Sequence, residues 1–465
     1  MQKFLFYFIA SMLLFSRLGF AQHDSSMHNM KPAMDKNMKM EDSSSMDKNM
    51  KMQDSSKMDM KMDMKMTSAF SNHLPMSRDG SGTSWHPDSS PMMAYMKMKN
   101  KTMLMFHYAV FVRYTKQDVA DKSNRGDKKF DAPNWLMFML TQKLGEHDLF
   151  SFHSMISLDG VTEGKRGYPL LFQTGESADG KPLVDRQHPH DLFSALALNY
   201  THSFSKDVDA NAYFGYPGEP ALGPPVFMHR PSAMNNPDAA LGHHWMDATH
   251  ITFGVGTIGI RYKNVKAEGS IFTGREPDEK RFDFDKPKFD SYSARVSVNP
   301  TENLALQVSR GFIKSPEVLE PDTDVTRTTA SLLHNMKLTN ESNIATSVVW
   351  GWNHNSYGEN LQSFLIESNL MLMPLSIYAR FEWIQKDAHE LELESFDNNP
   401  TFNINAFTLG INKTLFTSFK TDFSLGVQGT INFPDEKIKP FYGNSPVGVE
   451  IFLKIAPAMM KKKSM

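Results

Sequence analysis

The chain has 465 residues, and Lys+Arg 50 against Asp+Glu 52 leaves a formal net charge of -2, which gives no electrostatic basis for binding nucleic acid. It contains no cysteine, which excludes disulfides and thiolate metal sites, while 34 methionines make the thioether its abundant soft donor. Mean hydropathy is -0.43, a value shared by soluble chains and by barrels in which only every second strand residue faces lipid.

Lys3, the apolar run Phe4 to Phe15 and the small residues around Gly19-Phe20-Ala21 read as a secretory signal peptide over residues 1–21. No later run of about 18 apolar residues suggests a transmembrane helix, but an exported chain can still cross a membrane as a closed barrel.

Residues 22–66 form a low-complexity arm in which MDKNMKMEDSS is repeated as MDKNMKMQDSS and then shortens to KMDMKMDMKM. With no branched aliphatic residues it cannot bury a core, and the expectation is a disordered segment. Methionine sulfur suits Cu(I) and Ag(I), and M-x-M or M-x-x-M spacing lets two sulfurs reach one ion. The candidate ligands begin with Met27 and Met30, beside His23 and His28. They continue with the pair Met38 and Met40, the pair Met50 and Met52, and the run Met58, Met60, Met62, Met64 and Met66, the cofactor expected being a copper ion. Residues 67–100, rich in Ser, Gly and Pro, read as a connector.

From Met103 onward apolar and polar residues alternate. In VKAEGSI, for example, Lys266, Glu268 and Ser270 face one way, and Val265, Ala267, Gly269 and Ile271 the other. About sixteen segments share this period of two, near 102–115, 134–144, 148–158, 190–204, 208–215, 250–262, 265–274, 290–298, 303–311, 328–338, 343–353, 362–372, 375–385, 403–413, 420–432 and 447–455. Their connections alternate between short and long. The fold predicted is all-β, an antiparallel transmembrane β-barrel of about 16 strands over 101–456 with a tail at 457–465, both ends in the periplasm. Tyr114, Trp135, Tyr262, Trp352 and Trp383 lie near strand ends, as interfacial girdles would. The location implied is the outer membrane of a Gram-negative bacterium, with its lipid as a partner.

Two long connections are rich in histidine. DRQHPHD carries His188 and His190, and GEPALGPPVFMHRPSAMNNPDAALGHHWMDATHI carries His229, His243, His244 and His250. The second is stiffened by proline yet too apolar for a freely solvated loop, which predicts that it folds inward against the barrel wall. These six histidines, with Asp185, Asp191, Asp238 and Asp247 nearby, are candidate ligands for a borderline metal. Ordinary hydrogen bonding in an irregular loop is the alternative for each of them. No HExxH and no G-x-S-x-G occurs, and Ser232 is an unsupported candidate nucleophile, so no enzyme is expected.

The blocks DRQHPHD, GEPALGPP, FMHRPSAMNNP and GHHW, with GREPD and DSYSARVS, resemble those of an uncharacterised family of bacterial outer-membrane barrel proteins met in heavy-metal contexts. The layout of signal peptide, methionine arm and barrel resembles the copper-resistance outer-membrane B proteins. That likeness implies a periplasmic arm binding Cu(I) or Ag(I), a part in metal tolerance and periplasmic metal-handling partners. A solute-specific porin, and a barrel enzyme with a histidine base between 188 and 250, are the other readings.

Overall fold

The computed structural model describes residues 66–120 and 122–460, so the signal-peptide assignment lies outside the described residues. The same is true of ten of the eleven arm methionines expected to bind metal: Met27, Met30, Met38, Met40, Met50, Met52, Met58, Met60, Met62 and Met64. Met66, the last of them, is described and is exposed. The chain divides after Met66 into two units, and the second contains the barrel.

Sixteen antiparallel strands close on themselves, one for each alternating segment of the sequence. They are β1 (Thr102–Lys116), β2 (Lys128–Asp131 and Asn134–Lys143), β3 (Asp148–Ile156), β4 (Phe193–Ser205), β5 (Val208–Gly215), β6 (Val255–Tyr262), β7 (Val265–Phe272) and β8 (Ser291–Thr301). The circuit continues through β9 (Leu304–Ile313), β10 (Val325–Lys337), β11 (Ser342–Asn355), β12 (Asn360–Leu372), β13 (Leu375–Asp387), β14 (Thr401–Ser418), β15 (Thr421–Phe433) and β16 (Val447–Pro457). The break in β2 falls at Ala132-Pro133, where proline has no N–H to give the ladder. Closure pairs β16 with β1, Ile455 opposite Val110 and Val449 opposite Lys116.

Lower on the same edge of β1 the partner changes. A short edge strand, Tyr95–Lys99, pairs Tyr95 with Phe106 and Lys99 with Thr102. The Met460 N–H donates to Met92 O at 2.9 Å, joining the chain end to the residues leading into that edge strand.

The wall is apolar outside and polar inside, the reverse of a soluble sandwich. On β6 and β7, Ile258 (73 % exposed), Ile260 and Ile271 face outward, while Thr257, Arg261, Lys266, Glu268 and Ser270 are buried. This outward band is what contact with acyl chains requires, and no helix among the described residues is long and apolar enough to cross instead. Tyr114, Tyr262, Trp352 and Trp383 follow the girdle expectation. Trp135 does not: it points inward, its ring 4.7 Å from that of His229.

Two segments occupy the lumen. Residues 67–94, expected as a connector, instead form an inner segment. Ser151 Oγ donates to Ala69 O (2.9 Å), Arg295 Nη2 to Thr83 Oγ1 (2.8 Å), Asn299 Nδ2 to His86 O (2.8 Å) and Ser89 Oγ to Asn335 O (2.7 Å). Backbone N–H and C=O groups that form no ladder must find side chains, and the polar inner wall supplies them. The second segment is the long loop from Tyr216 to Gly254, which folds inward as its composition predicts. The Ala221 N–H reaches Ser270 Oγ, the Gly223 N–H reaches Ser309 Oγ and the Leu241 N–H reaches Glu382 Oε1.

Candidate metal centre

Arg230 fixes the histidine loop in place. Its side chain is fully buried, with Nε 2.7 Å from Glu367 Oε1 on β12 and Nη1 2.7 Å from Asp247 Oδ2 and 3.0 Å from Pro225 O. Arg380 Nε holds the other oxygen of Glu367 at 3.0 Å, so the buried carboxylate is shared by two guanidinium groups. Farther round the wall, Arg113 on β1 binds Asp131, Asp238 and Glu450. Buried charges this well paired position a loop chiefly because removing one partner is costly.

Five of the six predicted histidines converge. His188 and His190 stand on the extended His-Pro-His stretch with ring centroids 5.9 Å apart. The loop Tyr216–Gly254 supplies the others from a single helical turn, His243–Met246, and the 3-10 turn Ala248–His250 that follows. Neighbouring centroids lie 5.4 Å apart for His190–His250, 5.1 Å for His250–His243 and 6.5 Å for His243–His188, which closes a four-membered ring. His244 caps it, 5.4 Å from His243 and 6.1 Å from His188. Gly175 packs against the His244 ring at φ +106°, and a Cβ there would lie 2.7 Å from His244 Cε1. Only glycine meets both conditions without strain.

The hydrogen bonds of these rings follow the pattern of metal-binding histidines, in which one nitrogen is anchored and the other presented. His243 Nδ1 is 2.6 Å from Asp247 Oδ1, His190 Nδ1 is 2.7 Å from Asp159 Oδ2, and His250 Nδ1 is 3.0 Å from Asp247 O. His244 Nδ1 sits 3.7 Å from Glu276 Oε1. The Nε2 atoms of His190, His243, His244 and His250 are buried without a hydrogen-bond partner. His188 differs, its Nε2 lying 3.3 Å from Glu176 Oε1.

Burial favours the neutral form of four of these imidazoles. It depresses the His188 and His250 imidazoles far below their usual value and lowers His243, while His244 falls to about 3 through burial and the nearby Lys386. Burial works against the charge on Asp247, yet His243 and Arg230 beside it keep that carboxyl below the usual range. Burial also pushes Glu276 up to about 7.

The donor set fits a metal: neutral imidazoles, a free nitrogen on each of four and a carboxylate or carbonyl behind them. The ring is wider than a closed coordination sphere. Among the described residues the group of three whose ligand atoms lie within 4.8 Å of one another is instead Asp278, Asp283 and Asp285, in the loop after β7. Binding an ion therefore requires the imidazoles to move inward.

His229 is not part of the ring. It stacks between Trp135 and His107 in a separate chamber. Of the predicted carboxylates, only Asp247 touches one of the six imidazoles. Asp238 pairs with Arg113, Asp191 with Arg281, and Asp185 with Arg125. Sequence reasoning missed Asp159 and Glu176, which lie earlier in the loop that carries His188 and His190, and Glu276, in the loop after β7; their positions gave no local signal. Ser232 is buried, with Ser347 and Glu367 as partners of its Oγ and no imidazole among them.

Above the ring, cavities of 480 and 460 Å³ share Glu276, Glu317, Glu320 and Glu390 in their walls, and His244 lines the second of them. Carboxyl groups thus line a vestibule beside His244, and burial raises Glu317 and Glu390, like Glu276, above the usual carboxylate range.

The closed register, the apolar exterior and the two inner segments define a plugged outer-membrane β-barrel. The chain is similar in fold to the OmpT loop L8 deletion mutant, an outer membrane protein of Vibrio cholerae, with 6 % identity and a TM-score of 0.46 over 77 % of this chain and 100 % of that one. It is similar to an anion-selective porin from Comamonas acidovorans, with 11 % identity and a TM-score of 0.43 over 76 % and 99 %. It is likewise similar to Salmonella typhi OmpF in complex with daunomycin, with 7 % identity and a TM-score of 0.47 over 77 % and 100 %. No family model matches the chain, and no curated protein matches it.

Proposed function

We propose that this outer-membrane barrel handles a metal ion of the copper class, with the ring of His188, His190, His243, His244 and His250 as its lumenal site. The observation that carries this reading is the set of four buried, unpartnered Nε2 atoms, three of them on rings anchored from behind by a hydrogen bond at Nδ1. A buried donor or acceptor without a partner costs about 1–3 kcal/mol, and four in one cluster are explained by a ligand that engages them. The methionine arm fits capture of Cu(I) or Ag(I), and together the two elements would contribute to metal tolerance without covalent chemistry. No specific observation favours the solute-channel reading, because the two inner segments take up the lumen.

Elemental analysis after copper exposure tests this on detergent-purified protein, with and without residues 23–66. A stoichiometric ion retained by both forms, and lost in His243→Ala/His250→Ala, supports the ring as a site. Retention by the arm-bearing form alone assigns binding to the methionines, and absence from both removes the metal reading.

A further inference from the structure

The inner wall of the barrel is mostly lined by Ser, Thr, Asn and charged residues, such as Ser270, Ser293, Thr329, Ser347 and Asn369. Three adjacent strands depart from this. On β1 the inward positions are Met103, Met105 and His107; on β2 they are Trp135, Met137 and Met139; on β3 they include His153 and Met155. Register places Met105 opposite Met139 and His107 opposite Met137, and on the other side of β2 Met137 faces Met155 and Met139 faces His153. Thioethers and imidazoles thus alternate on one continuous patch. Met76 and Met92 from the inner segment and Met228 from the histidine loop pack against it.

A cavity of 180 Å³ opens on this patch, and His86, His107 and His229 line it together with the methionines. The Nε2 atoms of His86, His107 and His153 are buried without hydrogen-bond partners. His86 and His153 are 7 % and 5 % exposed. Packing alone would be served by any aliphatic side chain and would not leave three imidazole nitrogens unpaired. Lys454, the cation on the same cavity, is occupied by Met234 O and Asn235 Oδ1. His190 and its anchor Asp159 line the cavity too, so one side chain belongs both to this chamber and to the histidine ring.

We propose that this methionine-histidine chamber is a second metal site, which binds a soft monovalent cation, Cu(I) or Ag(I), and exchanges it with the histidine ring through His190. The donors of the β1–β3 patch are neutral and soft, a set that favours a large, polarisable, singly charged ion over Zn(II) or other divalent ions. The vestibule offers carboxylates, the ring imidazoles, and the β1–β3 patch thioethers with imidazoles. The proposal deepens the metal-handling reading above and rests on it for the exchange step.

The test uses full-length protein in detergent with 13C-labelled methionine methyl groups, assigned by single Met→Leu variants and titrated with silver nitrate and then with zinc chloride. Ag(I) is expected to shift the Met105, Met137 and Met139 methyl resonances, and Zn(II) to leave them in place. Met105→Leu/Met137→Leu/Met139→Leu, which keeps side-chain volume and apolarity, should retain one Ag(I) equivalent fewer than the parent. Shifts confined to methionines of the arm, or equal Ag(I) retention by the triple variant, would overturn the proposal. His243→Ala/His250→Ala separates the two readings. If that variant still shows the chamber shifts while the parent's ring binds no Zn(II) or Cu(II), the chamber stands as a site and the reading of the ring falls.

Discussion

His243 Nδ1 lies 2.6 Å from Asp247 Oδ1, one helical turn further along, and His243 Nε2 is left buried without a hydrogen-bond partner. The same carboxylate accepts from Arg230 through its second oxygen. One residue thereby couples the anchor of the loop to the orientation of the His243 ring. Asp247→Asn keeps the shape and weakens both contacts. Copper-class metal affinity of the histidine ring is expected to fall about 10- to 100-fold, the usual range for loss of a carboxylate behind a ligating histidine. Competition titration against a chelator measures this, and an unchanged affinity would show that the contact does not orient a ligand.

Arg230→Ala removes one buried cation from each carboxylate, leaving Glu367 to Arg380 and Asp247 to His243. Breaking a buried pair in this way costs about 3–5 kcal/mol. Limited proteolysis should then cut between Tyr216 and Gly254 at protease levels that leave the parent intact, while the barrel itself survives. A loop that stays equally protected would mean that its apolar contacts hold it without the guanidinium.

Gly175→Ala places a methyl group against His244 and forces an unfavourable backbone conformation at the same time. The expected result is a displaced His244 and weaker metal retention, with strand content by circular dichroism unchanged. Normal retention would place His244 outside the set of ligands.

The vestibule predicts a rate effect rather than an affinity effect. At a pH above the raised values of Glu317 and Glu390, where these carboxyls are ionised, replacing Glu317, Glu320 and Glu390 by Gln should slow divalent-ion binding several-fold at low ionic strength, and the difference should shrink as salt screens the cavity. Stopped-flow measurements at two salt concentrations read this directly, and identical rates at low salt would count against electrostatic concentration.

Asp185 gives the outer loops a pH dependence. Burial raises its carboxyl from 3.8 to about 6, against the opposing effects of Arg125, the Phe172 N–H and Tyr442. A raised folded-state value means that the contribution to docking is fully present below the unfolded value near 3.8 and is lost as pH rises through 6. The difference amounts to about 3 kcal/mol at the upper limit. Hydrogen exchange at the Phe172 amide, which donates to Asp185 Oδ1 at 2.7 Å, should therefore be less protected at about pH 8 than at about pH 5 after correction for intrinsic rate. Equal corrected protection would contradict this account.

The sixteen strands were legible because a wall with lipid on one side and a polar lumen on the other imposes a period of two on every crossing. The convergence of DRQHPHD with the second histidine loop was legible only as two segments flanking one strand pair, β4 and β5. The carboxylates behind the rings were not, since Asp159 and Glu176 stand 12 or more residues before His188 in the same irregular loop and Glu276 comes from another, with no spacing that ties them to the histidines. The inner segment was missed because its Ser, Gly and Pro composition reads as a linker when the polar inner wall that satisfies it is out of view. The methionines of β1–β3 were hidden by their chemistry: at period two a methionine counts as one more apolar wall residue, and only the side it faces distinguishes a lipid contact from a ligand.

The seam of the barrel ties its wall to its contents. β16 covers β1 from Val110 upward, the edge strand Tyr95–Lys99 covers it from Phe106 downward, and the inner segment is continuous with that edge strand. Residues 67–94 are thus threaded to the last joint of the cylinder. The inner segment and the closing strand therefore share one strand of the wall, so a change at the seam reaches both the closure of the cylinder and its contents.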